Sequence, residues 1–279
     1  MVELAATQLV SLLRDPDAFM HALSALNRIV IAGNDEKKLA AHMLKIQHCN
    51  AVQHVIDIIK DHKHDRDVVR ESVLLLAALS VNEGSHYTMG ETGTIAYLVE
   101  LLKSVDTQTF VASAMALANI AAFYQSDIAA MMNQGYPSIF YRRDIGRLMK
   151  AAIMRPLIRN LVYSASNQKE VSGYPISRQT TRQEATTCLV HQISTMKTGR
   201  EAILAANGIE PLVAFIKDHR NDQYTFFAIQ TLANLALDDT CHSKIKRVYG
   251  DELLRWYVKH GVRVLAHEAE IALERLGAL

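Results

Sequence analysis

Two stretches decide the architecture when one is laid over the other: GTIAYLVELLKSVDTQTFVASAMALANIAAF (93–123) and GIEPLVAFIKDHRNDQYTFFAIQTLANLALD (208–238). Each opens at a glycine, runs through a short apolar helix, breaks at polar residues, and ends in a second helix closing on L-A-N-(I/L)-A. Leu98-Val99 falls on Leu212-Val213, and Leu117 to Ala121 falls on Leu232 to Ala236. Apolar residues at helical spacing that a single unit cannot bury are the signature of a stacked helical repeat.

Two weaker copies obey the same rule. Residues 51–81 put Val55-Ile56 on the apolar pair and Leu76 to Leu79 on the closing block. Residues 154–194 put Leu157-Ile158 on the pair and Val190 to Ile193 on the block. Pro156 and Pro211 both precede the pair, where a first helical turn tolerates proline because its missing N–H has no partner there. Val55 to Leu98 is 43 residues and Leu212 to Leu254 is 42, within the roughly 40–47 of a two- or three-helix repeat. Leu98 to Leu157 is 59 and Leu157 to Leu212 is 55, which reads as normal repeats carrying insertions of about 12–17 residues. Degenerate copies at Leu4 to Ala32 and Asp251 to Leu279 supply the ends.

The pattern G-x-x-x-L-V-x-L-L, a polar gap, then A-L-x-N-(I/L)-A resembles the armadillo repeat family, with the HEAT family as the close structural alternative. The resemblance implies an all-α fold, a right-handed α-α superhelix of about five to six repeats with two insertions. Each unit would hold three helices, the third lining a concave groove. The glycine before the apolar pair (Gly93, Gly208) favours armadillo, since glycine permits a tight turn between the first two helices. Stacking is expected to bury Leu98, Leu102, Leu117 and Ile120, with stability mostly between nearest neighbours. Residues 1–279 then form one domain, with caps at about 1–48 and 250–279 and insertions at about 135–150 and 164–182.

Composition agrees. The chain has 279 residues, 49% of them apolar and only 6% aromatic, with 12 glycines and 5 prolines, too few turn residues for an all-β protein. Three scattered cysteines, Cys49, Cys188 and Cys241, make neither a disulfide framework nor a zinc site, which points to a reducing, cytoplasmic setting. The start has no signal-peptide pattern and no apolar run is long enough to span a bilayer, so membrane insertion is not expected. A net charge of +1 favours neither DNA nor an anionic membrane. No GxSxG, P-loop, HExxH, GxGxxG or kinase motif occurs, so the chain is not expected to be an enzyme and no cofactor is implied. His48, Cys49, His62 and His64 lack the converging spacing of a metal site, and the last two fall in an interhelical turn.

The resemblance locates the candidate binding residues. In the family, the groove asparagine of the third helix holds an extended peptide's backbone, its amide serving as donor and acceptor together. Asn119 and Asn234 match that position, whereas Arg28, Ala78, Gln192 and Arg275 occupy it elsewhere. The tryptophan that nuclear-import receptors place four residues earlier is replaced by Met115 and Gln230, so import-signal binding is not expected. Met115, Phe123, Gln192, Met196, Phe226 and Gln230 are further groove candidates. The alternative for the two asparagines is that they only bond to neighbouring backbone.

The first insertion carries Arg142, Arg143, Arg147 and Lys150 among Tyr136, Phe140 and Tyr141, a composition that grips acidic or phosphorylated segments. It also reads as an amphipathic helix with its charges solvated. The second insertion, with Ser177, Thr180 and Thr181, reads as a polar loop.

The leading expectation is a protein–protein interaction scaffold that takes a peptide or helix, acidic in character, in the concave groove. The alternative is a regulatory armadillo domain of a larger protein, acting on a small GTPase, a motor or a TIR-type NAD hydrolase. That reading needs a deep basic pocket near Arg142 to Arg159. RNA binding is a third reading, against which the near-neutral charge argues. The apolar C-terminal helix, 264–279, either caps the array or dimerises it.

Overall fold

The computed structural model describes residues 2–31, 50–126, 151–161, 171–172, 179–218 and 223–278. The chain divides into two compact units, Met1–Arg147 with Gln168–Thr181, and Leu148–Asn167 with Arg182–Leu279.

The first unit runs α1 (Val2–Leu12), α2 (Phe19–Ile31), α3 (Ala51–Asp61), α4 (Arg66–Leu79), α5 (Glu83–Glu91), α6 (Thr94–Leu101) and α7 (Thr107–Ser126). It also holds a two-residue antiparallel ladder, β1 (Val171–Ser172) on β2 (Gln179–Thr180), pairing Val171 with Thr180 and Ser172 with Gln179. The second insertion, read from sequence as a loop, therefore closes on a short hairpin-like rung. The second unit runs α8 (Ala151–Arg159), α9 (Arg182–Ser194), α10 (Lys197–Ala205), α11 (Ile209–Asp218), α12 (Gln223–Leu235), α13 (Asp239–Arg247), α14 (Gly250–His260) and α15 (Arg263–Arg275). Among the described residues, complete three-helix repeats are α5–α6–α7, α10–α11–α12 and α13–α14–α15.

Local chemistry sets the boundaries. Asp65 caps α4 by accepting from the amides of Asp67 and Val68 at 3.0 and 3.2 Å, and Asn82 caps α5 from Gly84 at 3.1 Å. His62, Lys63 and His64 form the turn between α3 and α4, as their sequence position implies.

One backbone feature recurs in strict register. Asn50, Gly93, Asn207 and Tyr249 all take positive φ (59°, 78°, 57° and 60°). Each stands five residues before the leading apolar position of its repeat: Val55, Leu98, Leu212 and Leu254. This corrects the role given to Gly208. The left-handed residue there is Asn207, and Gly208 serves close packing instead: a Cβ would lie 2.6 Å from Ile203 Cγ2. Gly250 repeats the arrangement, with Ile245 Cγ2 at 2.7 Å from its would-be Cβ. Of these four turns, the one at Gly93 places a glycine at the left-handed residue. Tyr249 holds that conformation without the relief of a glycine or asparagine, at a cost of roughly 1–2 kcal/mol.

Proline placement also splits. Pro211 is the third residue of α11, inside its first turn. Pro156 lies in the interior of α8, because the helix begins further upstream at Ala151.

The core follows the expected pairs. Val55, Ile56, Leu98, Val99, Leu157, Ile158, Leu212 and Val213 are buried, as are Leu102, Leu117 and Ile120. Burying each such side chain stabilises by roughly 1.5–3 kcal/mol before entropy is counted. In the first unit α4 packs on α2 and α7; in the second, α12 packs on α9 and α15. Tyr257, fully buried on α14, satisfies its hydroxyl by donating to the Ile216 carbonyl of α11 at 3.2 Å.

Candidate functional site

Each unit carries its own groove candidates on long final helices, α4 and α7 in the first and α9, α12 and α15 in the second; Met196 falls outside them, as the residue that caps α10. On these helices the core takes one face. Met115, Asn119, Gln192, Gln230, Asn234 and Arg275 are left half-buried on the other. Ala78, in the same register, is buried, and Arg28 is exposed.

The two asparagines behave alike. Asn119 Nδ2 donates to Ser80 Oγ at 3.0 Å, and Asn234 Nδ2 donates to Ser194 Oγ at 3.0 Å. Each serine sits at the end of the preceding repeat's long helix and passes its own proton to that helix, Ser80 to the Ala77 carbonyl and Ser194 to the His191 carbonyl, both at 2.6 Å. One of the two Nδ2 hydrogens is thus used between repeats. At Asn234 the acceptor is engaged as well: Arg275 Nη1 lies 3.5 Å from its Oδ1 while donating to the Ala233 carbonyl at 2.8 Å. Asn234 is a clasp joining α9, α12 and α15.

The first repeat uses a shifted version. Asn27, one residue before the expected register, donates from Nδ2 to the Glu71 carbonyl at 2.9 Å and to its carboxylate at 2.8 Å.

A second recurring device closes the C-terminal ends of these helices. Six residues after the closing position, a side chain reaches back to its carbonyl: His86 Nε2 to Ser80 at 2.6 Å and His242 Nε2 to Ala236 at 2.9 Å. Arg200 Nη1 does the same to Ser194 at 3.4 Å. A carbonyl only accepts, so each imidazole carries its proton on Nε2. Burial holds His86 below the ordinary histidine range, against the opposing pull of the Ser80 carbonyl.

On α9, His191 stacks on Phe227 of α12, ring centroids 5.2 Å apart and planes 19° from parallel. Phe226 tilts against Phe227 at 5.8 Å. Burial pushes His191 down to about 4, so the ring is neutral at pH 7. Cys188, one turn earlier, is pushed up to about 12 by burial and by Glu184, which makes it an inert thiol.

Phe123 lies on α7, with its side chain outside the described residues. Arg142, Arg143, Arg147 and Lys150 of the first insertion, and Ser177 of the second, also lie outside them. Arg155 and Arg159, on α8, are exposed.

A cavity of about 400 Å³ opens between the α1–α2 turn and α3. Arg14, Asp15, Phe19, His54, Asp57 and Asp61 line it, and Phe19 stacks on His62 at 4.7 Å. With three carboxylates against one guanidinium, it has the opposite character to the basic pocket that the regulatory reading requires. Among the described residues no group of three or more His, Cys, Asp or Glu is placed to hold a metal ion.

Sequence reasoning missed Ser80, Ser194 and His191. The serines carried a signal, since both stand two residues past the asparagine register, in LSV and IST.

No family model and no curated protein matches the chain. Solved structures do. A designed armadillo repeat protein superposes with a TM-score of 0.71 at 19% identity, covering 97% of this chain and 99% of that one. Computationally designed armadillo repeat proteins for modular peptide recognition give 0.69 at 19% identity, over 96% and 98%. A designed armadillo repeat protein in complex with peptide (KR)4 gives 0.67 at 19% identity, over 97% and 98%. The chain has an armadillo-type repeat fold.

Proposed function

We propose that this chain is a peptide-binding repeat scaffold whose long third helices form the binding face. The observation that carries the reading is that each unit leaves half-buried polar or sulfur side chains on those helices, in two registers one helical turn apart: Met115 and Asn119 in one unit, Gln192, Gln230 and Asn234 in the other. Solved structures of this fold include one in complex with a peptide, and the reading includes no catalytic step.

The chemistry of recognition differs from a simple asparagine ladder. Asn119 and Asn234 each use one of their two Nδ2 hydrogens on the preceding repeat, and Asn234 Oδ1 faces Arg275. In the second unit, backbone reading therefore falls to the amide of Gln230, one helical turn before Asn234. The half-buried Phe226 offers apolar contact beside it. Arg275, next to Asn234, favours a carboxylate on the peptide, in keeping with an acidic partner.

A random peptide-display library selected against the full chain tests this. Enrichment of extended peptides that lose at least about tenfold in affinity with Gln230→Ala/Phe226→Ala supports the reading (~1.4 kcal/mol). Failure to enrich any peptide, or enrichment indifferent to both that pair and Met115→Ala, rejects it.

A further inference from the structure

We infer that the last repeat carries a second interaction surface, distinct from the peptide face, that docks the protein on an anionic lipid bilayer.

Eight large apolar side chains are markedly exposed among the described residues, and four of them fall in one short stretch: Tyr249 at 62%, Trp256 at 38%, Val262 at 54% and Val264 at 61%. Their placement follows α14. Tyr249 stands at the turn that enters this helix, Trp256 on its outer side, and Val262 and Val264 at the turn that leaves it. The helix buries Gly250, Leu254 and Tyr257, so Lys259 and Trp256 project from the opposite side. Eleven residues of helix separate the two turns by about 16 Å. The apolar groups therefore stand at two turn tips and on the helix side between them, an arrangement suited to a flat partner.

Charge identifies that partner. From Lys244 to Arg263 the chain holds six cationic side chains, Lys244, Lys246, Arg247, Arg255, Lys259 and Arg263, against two carboxylates, Asp251 and Glu252, in a chain whose net charge is only +1. Arg255 pairs with Asp251 at 3.0 Å, which leaves five cations against one carboxylate and the surplus of positive charge unchanged. Among the described residues no ion pair engages Lys246, Arg247, Lys259 or Arg263, and all four are exposed. Aromatic side chains at the headgroup level, short aliphatics beside them and unpaired cations around them are the chemistry of a peripheral site on anionic lipid. A nucleic acid would use the cations and the rings but gain nothing from Val262 and Val264. No helix among the described residues is long and apolar enough to cross a membrane, so the contact is a surface one.

The chain supplies its own reporter, since Trp256 is the single tryptophan. The experiment titrates the full chain with phosphatidylcholine vesicles containing about 30% phosphatidylserine, and with pure phosphatidylcholine. Trp256 emission and co-sedimentation are followed together. A blue shift and sedimentation are expected with the anionic vesicles only, weakening as salt is raised. Lys246→Glu/Arg247→Glu/Lys259→Glu, all at exposed positions, should lower the partition coefficient on the order of a hundredfold. Val262→Ser/Val264→Ser should lower it several-fold while leaving Trp256 in place as reporter. The inference is overturned if the anionic vesicles produce neither signal. It is equally overturned if pure phosphatidylcholine binds as well, or if poly-U RNA or poly-glutamate shifts Trp256 while the vesicles do not. Peptide binding by the Gln230 face is unaffected by either result, so the two proposals fail separately.

Discussion

Arg200 Nε donates to Asp238 Oδ2 at 2.7 Å, while Nη1 of the same guanidinium donates to the carbonyls of Ser194 and Thr195 at 3.4 and 3.2 Å. One planar fork therefore joins the C-terminal end of α9 to Asp238, the residue that leads into α13. The pair is mostly buried, so losing one partner leaves a poorly solvated charge as well as open carbonyls. Arg200→Ala should destabilise the chain by roughly 2–3 kcal/mol in urea unfolding, and Arg200→Lys should recover only part of that, since an ammonium cannot reach three acceptors in one plane. A shift under about 0.5 kcal/mol would show that water replaces the fork without loss.

The asparagine–serine clasps predict coupling. Asn119→Ala and Asn234→Ala should each cost about 1–2 kcal/mol. Double-mutant cycles with Ser80→Ala and Ser194→Ala should return interaction energies of about 0.5–1.5 kcal/mol. Purely additive cycles would mean that the bonds contribute nothing, and that both asparagines are available to a peptide.

His191 makes stability depend on pH. Its folded value, about 4, lies below the ordinary value of 6.5, so the unfolded chain binds the extra proton between those limits. Stability from this group is full above pH 6.5 and is lost as pH falls toward 4, by roughly 3 kcal/mol at the lower limit. His86 adds to the trend in the same direction. Denaturant midpoints at pH 7.5, 6 and 5 should fall steadily for the wild type. They should fall less for His191→Phe, which keeps the stack on Phe227 and removes the proton site. Parallel profiles for the two proteins would refute the assignment.

Gly199 is the tightest glycine in the second unit. A Cβ there would lie 1.9 Å from the Ile193 carbonyl oxygen and 2.8 Å from its carbon, both backbone atoms that cannot swing aside. Gly199→Ala should cost at least about 3 kcal/mol despite alanine's better helix propensity, read as a lower thermal midpoint. Gly93→Ala, at φ +78° with open space around it, is a control that tests backbone strain without a clash.

The repeat was legible because Leu98-Val99, Leu212-Val213 and the LAN blocks are core, and core residue types vary little when one packing arrangement recurs. The asparagine register was legible for the same reason. Its use was not: Ser80 and Ser194 lie 39 and 40 residues before their partners, a distance at which a single sequence has no pairing signal. Gly208 misled because glycine answers two different demands, a left-handed turn and a missing Cβ, and both arise within two residues of each other at this turn. Pro156 misled because the start of α8 was placed from the apolar pair, while the helix already runs from Ala151. The His191–Phe227 stack was out of reach, since Ala233 and Ala118 occupy the histidine's register in the stronger copies.

The turn at Asn207 also bears on how the protein ages chemically. Asn207 is exposed and followed by Gly208, the pairing in which a side-chain amide is most readily lost through attack by the next residue's backbone nitrogen. That nitrogen is not at liberty: it donates to the Ile203 carbonyl at 2.9 Å, and Gly208 is wedged against Ile203. The folded turn therefore shields its own weakest bond. Deamidation at Asn207 becomes a clock that runs only while α10 and α11 are apart, so its accumulation in stored protein records the time this repeat has spent open.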